Sequence, residues 1–227
     1  QPAPVRRIFR EKARAVGAPL SFLEDEIESF GLGEGRRGLS LLWKDGGTLD
    51  AELAMFGRHQ AENAALASLA LKKMLPETGP HLEAGLAGAH APGRMEIREG
   101  EVPLVFDGAH TPASVKVLIR GLEELYPEIE TKGILLFGSV KGKDAGGMAR
   151  VLAPRFREVL ISTPGSFKPS DPGGVYAAFT PYNPRVRLVA DPAGAYEQAL
   201  KDARKTGGPI CVTGSFYMVA EILKLLD

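Results

Sequence analysis

Short apolar runs that alternate with helical stretches are the feature that most constrains how residues 102–226 can fold. Strands separated by helices require right-handed crossovers, which place the strands in a parallel sheet with helices on both faces. The pattern therefore predicts a Rossmann-like α/β domain in the second part of the chain. The apolar runs lie at 102–106, 133–137, 159–161, 186–189 and 210–212, and the main helical stretches lie at 113–125, 145–152, 193–203 and 216–226.

The first part of the chain has a different pattern. A helical stripe runs to Val16 and ends at Gly17, and two apolar runs at 39–43 and 49–56 flank an Asp-Gly-Gly turn, which predicts a β-hairpin. An Ala- and Leu-rich helix is predicted over 59–74. Pro, Gly and Ala with little periodicity over 76–93 indicate an inter-domain linker. We expect a first domain at 1–76, a linker at 77–92 and a second domain at 93–227.

Composition excludes several classes of protein. Lys plus Arg equals Asp plus Glu at 28 each, so no overall charge attracts nucleic acid or a membrane surface. No apolar run reaches the ~18 residues of a membrane span. The single Cys211 rules out an intramolecular disulfide and fits a cytoplasmic protein. The start, Gln-Pro-Ala-Pro, is interpreted as a fragment boundary.

The best candidate for chemistry is the loop 106–112, which joins a predicted strand to a predicted helix. Ligands of open α/β sheets bind at the carboxyl ends of strands. Thr111 suits a helix N-cap and Pro112 the first helical position, so Asp107 and His110 would both project from one short loop. A carboxylate there can accept hydrogen bonds from ribose hydroxyls, and an imidazole can act beside a phosphate. The alternative is a turn-capping Asp107 and a solvated His110.

Two further candidates lie earlier in the chain. His59 and Asn63 share a helix face near its start, and the Asn63 amide could pair with a purine edge. Arg94, at the exit of the predicted linker, could contact phosphate through two parallel hydrogen bonds. The alternatives are an ordinary polar residue in a first helical turn and an exposed Arg94 paired with Glu96.

The remaining candidates follow later strands. Ser215, with the backbone N–H groups of the helix start, could hold a carboxylate, or it could simply be the helix N-cap. Lys141 and Lys143 could meet phosphate or a substrate carboxylate, or lie in a solvated loop.

Several familiar motifs are absent. Gly33–Gly38 fits the dinucleotide fingerprint as a string, but it precedes a strand and opens no helix, so we reject it. The Gly142-Lys143 pair is followed by Asp144, so it is no Walker phosphate-binding loop. The four histidines and one cysteine do not form zinc-ligand spacings.

Taken in order, the candidate segments resemble the folylpolyglutamate synthase/dihydrofolate synthase family of the Mur ligase superfamily. The likeness runs across nearly the whole chain, and five strings in the right order are fairly specific. They are residues 57–60 (Gly-Arg-His-Gln) with 63–65 (Asn-Ala-Ala), 92–96 (Pro-Gly-Arg-Met-Glu), 107–110 (Asp-Gly-Ala-His), 137–138 (Phe-Gly) with 143–144 (Lys-Asp), and 213–215 (Thr-Gly-Ser).

The resemblance implies the tail of a P-loop ATPase domain, with helices and a β-hairpin, followed by a C-terminal α/β domain. It implies that Asn63 lies by the adenine of ATP, Arg94 by the phosphates and Asp107 by the ribose. His110 would be catalytic, and Ser215 and Lys143 would bind substrate. ATP would transfer a phosphoryl group to a folate or dihydropteroate carboxylate, and L-glutamate would then attack the acyl phosphate.

The resemblance also implies what this chain needs from elsewhere. Mg²⁺ ligands and the P-loop are expected in a missing N-terminal ATPase half, so the chain alone is expected to be inactive; a monomer without nucleic-acid or membrane partners is expected. Thr111 stands where the family usually has Asn, and Asp-x-Ala-His-Thr-Pro is more typical of peptidoglycan Mur ligases. Such a ligase, and a non-catalytic nucleotide-binding module, remain the alternatives.

Overall fold

A computed structural model of the chain describes residues 2–33 and 37–226. The chain divides into two compact units. Unit 1 comprises Gln1–Ala54 and Arg58–Ala89, and unit 2 comprises Met55–Gly57 and His90–Asp227. The rejected fingerprint at 33–38 falls partly outside the described residues.

Unit 1 contains the predicted hairpin within a three-stranded antiparallel sheet, in the order β1-β2-β3. Leu41 of β2 pairs with Leu49 of β3, which confirms the hairpin, although β3 ends at Glu52, before residue 56. The predicted first helix is also confirmed, because Gly17 adopts a left-handed φ of 67° and ends it. The elements are α1 (Ala3–Val16), α2 (Leu23–Glu26), β1 (Ile27–Leu32), β2 (Gly38–Trp43) and β3 (Thr48–Glu52).

The Ala-rich helix α3 (Arg58–Met74) packs small side chains such as Ala61 and Ala65 against the apolar side of this sheet. Beyond it, much of the segment for which a linker was predicted is helical. A 3₁₀ helix spans Pro76–His81 and α4 spans Leu82–Gly88. Leu82 and Leu86, four residues apart, pack against the core of unit 1, which is why a Pro- and Gly-rich stretch becomes ordered there.

Unit 2 is a six-stranded sheet in the order β4-β5-β9-β6-β7-β8, parallel except for the edge strand β4. The predicted Rossmann-like α/β fold is confirmed. The strands are β4 (Glu96–Arg98), β5 (Leu104–Phe106), β6 (Ile134–Phe137), β7 (Glu158–Ile161), β8 (Val186–Leu188) and β9 (Ile210–Thr213). The helices are α5 (Pro112–Leu125), α6 (Ile129–Lys132), α7 (Ala145–Leu152), α8 (Pro172–Phe179), α9 (Pro192–Thr206) and α10 (Phe216–Leu223).

Both faces of the central strands β5, β6, β7 and β9 are buried, and successive residues of each strand point to opposite faces. Val105, Leu135 and Cys211 belong to the apolar cluster that includes α5, α7 and α8. Their neighbours Phe106 and Val212 belong to the cluster formed with α9 and α10. The continuous apolar runs in the sequence reflect this burial on two sides.

Candidate functional site

The loops that leave β5, β6 and β9 meet at the carboxyl edge of the sheet in unit 2. Hydrogen bonds join them directly: Asp107 N–H donates to the Val212 carbonyl at 3.0 Å, and Gly214 N–H donates to the Ala109 carbonyl at 3.0 Å. Gly138 N–H donates to the Thr213 carbonyl at 3.1 Å. The helices after β5 and β9 cover opposite faces, so the edge has the crevice at which open α/β sheets bind ligands.

Asp107 fastens this edge to the turn that precedes β4. One carboxylate oxygen accepts from the Ala109 N–H at 2.8 Å, and the other accepts from the Met95 N–H at 2.9 Å. Met95 has a φ of 49°, a left-handed conformation that is unusual outside glycine. The half-buried Asp107 therefore stabilises a strained turn and thereby positions the neighbouring Arg94.

Arg94 lies over an aromatic ring. Its guanidinium carbon is 4.7 Å from the centre of the Phe216 ring, at the start of α10. Glu96 does not pair with Arg94 as the alternative interpretation supposed; it accepts from the Gly93 N–H at 3.0 Å and from Arg98 Nε at 3.0 Å. Arg94 is exposed, so its hydrogen-bonding edge faces solvent at the same strand ends as Asp107.

His110 is oriented by its own loop. Its Nδ1 lies 2.8 Å from the Gly108 carbonyl, and a carbonyl can only accept, so Nδ1 carries the proton. Nε2 is therefore the atom left to accept a proton or a hydrogen bond from a ligand. The imidazole centre lies 6.4 Å from the Phe216 ring. Thr111 and Ser114 form a reciprocal capping box at the start of α5, which fixes the loop.

Ser215 and Lys143 occupy different environments. The buried Ser215 hydroxyl donates to the Gly138 carbonyl at 2.8 Å and accepts from the Met218 N–H at 3.1 Å, so it caps α10 and joins two of the loops. Lys143 is exposed on the loop after β6. The next residue, Asp144, caps α7 through the Gly147 N–H at 2.8 Å.

Asn63 belongs to unit 1, whereas the other five predicted site residues belong to unit 2. It is exposed on α3, and its amide donates to the Gln60 side chain at 3.4 Å. It borders a largely apolar cavity of about 610 Å³, within unit 1, whose walls include Phe22, Phe30, Arg58, Glu62 and Leu66.

The cysteine beneath the site is buried and chemically unreactive. Cys211, in the central strand β9, is buried, and burial followed by the charge of Asp107 raises the pKa of its thiol well above the usual value.

Across the described residues, no three His, Cys, Asp or Glu side chains gather in a way that could hold a metal ion. Over the same residues, no helix is both long and apolar enough to cross a membrane.

Phe216 is the site residue that the sequence analysis missed. Its ring contacts Arg94 and His110, and a Cβ atom added to Gly108 would lie only 2.4 Å from it. The only signal in the sequence was an aromatic residue directly after Ser215, the predicted N-cap of the helix that follows the last strand. Such a residue is usually part of the core, and only the packing of Gly108 against it reveals its place in the site.

Comparison with known proteins identifies the family. A family model described as "Mur ligase, glutamate ligase domain" matches residues 93–216. A probable bifunctional folylpolyglutamate synthase/dihydropteroate synthase of Haloferax volcanii is 32% identical over 182 residues, covering 78% of this chain and 21% of that protein. The folylpolyglutamate synthase of Lacticaseibacillus casei is 29% identical over 189 residues, covering 81% of this chain and 42% of that protein.

A solved structure supports the same fold. Crystal structures of Mycobacterium tuberculosis folylpolyglutamate synthase complexed with ADP and AMPPCP superpose with a TM-score of 0.84 at 24% identity, covering 99% of this chain and 53% of that chain. This chain thus spans about half, or less, of the length of these relatives. With its glutamate ligase domain at residues 93–216, the chain belongs to the Mur ligase family, in the folylpolyglutamate synthase branch.

Proposed function

We propose that this chain is the C-terminal portion of an ATP-dependent ligase that joins L-glutamate to a folate or dihydropteroate carboxylate through an acyl phosphate. The observation that carries the proposal is that Arg94 and His110 both lie against Phe216, while Asp107 holds the turn beside Arg94 through the Met95 N–H. The group lies at the carboxyl edge of a parallel sheet and within the matched glutamate ligase domain.

Arg94 and Asp107 have the chemistry to hold a nucleotide. The Arg94 guanidinium, stacked on Phe216, can donate two parallel hydrogen bonds to phosphate oxygens. Asp107 accepts a backbone N–H at each of its two oxygens. A carboxylate is an acceptor with about four lone-pair sites, which is the chemistry that ribose hydroxyls need. Asn63, which belongs to unit 1, is proposed to hydrogen-bond adenine through its side-chain amide.

His110 has the chemistry to assist amide formation. The glutamate amine attacks the carbonyl carbon of the acyl phosphate, the bond from that carbon to the phosphate oxygen breaks, and the amine loses a proton. His110 Nε2, left as an acceptor by the Nδ1 contact to Gly108, is proposed to take that proton. Lys143 is proposed to pair with a substrate carboxylate, and Ser215 to hold the first N–H groups of α10 toward glutamate.

Phosphoryl transfer depends on parts outside this sequence. These 227 residues contain no Walker loop, so we propose that the chain is inactive until a P-loop portion is supplied. The described residues gather no donor set for Mg²⁺.

The test is phosphate release by the protein that combines this chain with its P-loop portion. We expect release to require both dihydropteroate (or folate) and L-glutamate. Arg94→Ala removes a charged hydrogen bond worth about 1.5–3 kcal/mol, so kcat/KM for ATP is expected to fall about 10- to 150-fold. Arg120→Ala, an exposed arginine on α5, is the matched control and is expected to stay near the unmodified value.

Three results count against the proposal. A well-folded complete protein that releases no phosphate with folate acceptors would contradict it. Release stimulated by a UDP-muramyl peptide instead would favour the peptidoglycan-type ligase that Thr111 permits. ATP binding without turnover would favour the non-catalytic module.

A further inference from the structure

Two neighbouring loops of unit 2 form a basic surface that the proposed chemistry leaves largely unused. They follow β6 and β7 at the carboxyl edge of the sheet. The Lys141 N–H donates to the Pro169 carbonyl at 2.8 Å, and Val140 and Ser170 form an antiparallel bridge. These contacts make one surface of residues 140–143 and 165–170, here called the basic rim.

The basic rim presents a fixed aromatic ring to solvent. Phe167 is 74% exposed, and its ring stacks on Tyr217 with centres 5.3 Å apart and planes 28° apart. The Lys168 amine lies 5.6 Å from the centre of the Phe167 ring. Consecutive residues of α10 thus serve two surfaces, because Phe216 contacts Arg94 whereas Tyr217 contacts Phe167.

The lysines of the basic rim form no ion pair within the described part of the chain, although carboxylates lie beside the surface at Asp144, Asp171 and Glu221. Lys141, Lys143 and Lys168 are all exposed. The acidic residues of the same loops serve as helix caps instead. Asp144 accepts from the Gly147 N–H, and Asp171 accepts from the Gly174 N–H at 2.9 Å. The surface therefore carries three exposed ammonium groups, and one of them, that of Lys168, lies beside the exposed Phe167 ring.

This combination suits a flexible chain of carboxylates. Ammonium groups on long stems act as mobile point charges, in contrast to the fixed fork of arginine. If the proposed function holds, each turnover adds a glutamate whose own carboxylate can accept the next one, so the acceptor gains a tail of negative charges. We propose that the basic rim binds the glutamate tail of an already extended folate and thereby favours longer acceptors.

The first test compares acceptors in the complete ligase. An exposed ion pair contributes about 0.5–1 kcal/mol, so loss of two lysines predicts about a 5- to 30-fold effect. For Lys141→Ala/Lys168→Ala we expect kcat/KM to fall by this factor with a tetraglutamate acceptor, and by less than about twofold with a monoglutamate acceptor. Lys116→Ala/Lys201→Ala, two exposed lysines on α5 and α9, is the matched control. An equal loss with both acceptors would overturn the proposal.

The second test needs no turnover. Fluorescence anisotropy measures binding of a labelled, γ-linked pentaglutamate that carries no pteroyl group. We expect the Lys141→Ala/Lys168→Ala protein to bind it about 5- to 30-fold more weakly than the control protein. Equal affinities, or no binding by the unmodified protein, would overturn the role of the basic rim. Failure of the ligase proposal is distinguished by absent turnover with the monoglutamate acceptor.

Discussion

Gly108→Ala is the substitution that most sharply tests how the site is built. The added Cβ atom would lie 2.4 to 2.5 Å from three carbons of the Phe216 ring. Ordinary carbon contacts begin near 3.5 Å, so the ring must move by about 1 Å. Because Phe216 is 38% exposed, it can move toward solvent, and the guanidinium of Arg94 loses the surface on which it stacks.

The expected effects on stability and on binding differ in size. Overpacking costs about 1–3 kcal/mol, and a ring free to move toward solvent places Gly108→Ala at the low end. The lower entropy of the unfolded chain offsets about 0.4–1 kcal/mol of this. The free energy of unfolding should therefore fall by about 1 kcal/mol or less. Displacing Arg94 removes a charged hydrogen bond of about 1.5–3 kcal/mol, so ATP affinity should fall tenfold or more.

The assay is a double-mutant cycle on the complete protein, with urea unfolding and ATP binding measured for each variant. Phe216→Ala removes the ring that Gly108→Ala displaces. We therefore expect Gly108→Ala to change ATP affinity by less than about twofold once Phe216 is absent. An equal loss of affinity in both backgrounds would refute the reasoning, because the effect would then not pass through this ring.

Other predictions concern the sheet and its loops. Gly214 and Gly142 both have positive φ (101° and 87°), but only at Gly214 would a Cβ meet a backbone atom, the Gly138 carbonyl oxygen at 2.8 Å. Gly214→Ala should lower the free energy of unfolding by at least about 3 kcal/mol and Gly142→Ala by about 1 kcal/mol; equal losses in urea unfolding would contradict this. Burial and the charge of Asp107 raise the pKa of the Cys211 thiol. The neutral buried thiol therefore contributes to the free energy of unfolding below the unfolded thiol pKa of about 8.5, and this contribution is lost as pH rises. From pH 7.5 to 9.5 the unmodified protein should lose up to about 1.4 kcal/mol more than Cys211→Ala; equal losses would contradict that sign.

Much of the fold followed from local patterns in the sequence. The runs that became β5, β6, β7 and β9 are apolar at nearly every position, because both faces of the central sheet are covered. The starts of α5 and α10 could be predicted because each follows a residue suited to a helix N-cap, Thr111 and Ser215. By contrast, α8 begins Pro-Gly-Gly, which has poor helix propensity, and it forms because Val175 and Phe179 pack into the core.

The candidate site could be predicted only in part from the sequence. Asp107 and His110 stand in one strand-to-helix loop, so their proximity follows from order along the chain. Arg94 joins them only because Met95, with its positive φ, donates to Asp107. Neither that backbone conformation nor the stacking on Phe216 has a local signature in the sequence. Both arise from tertiary contacts between segments more than ten residues apart.

The acyl phosphate is the central claim, and transfer of an oxygen isotope tests it most directly. The complete protein would be given ATP, L-glutamate and dihydropteroate whose carboxylate carries ¹⁸O at both oxygens. One carboxylate oxygen attacks the γ-phosphorus and later leaves with it, so we predict one ¹⁸O in each released phosphate and one in the new amide. Released phosphate without ¹⁸O, in the presence of amide product, would contradict the account.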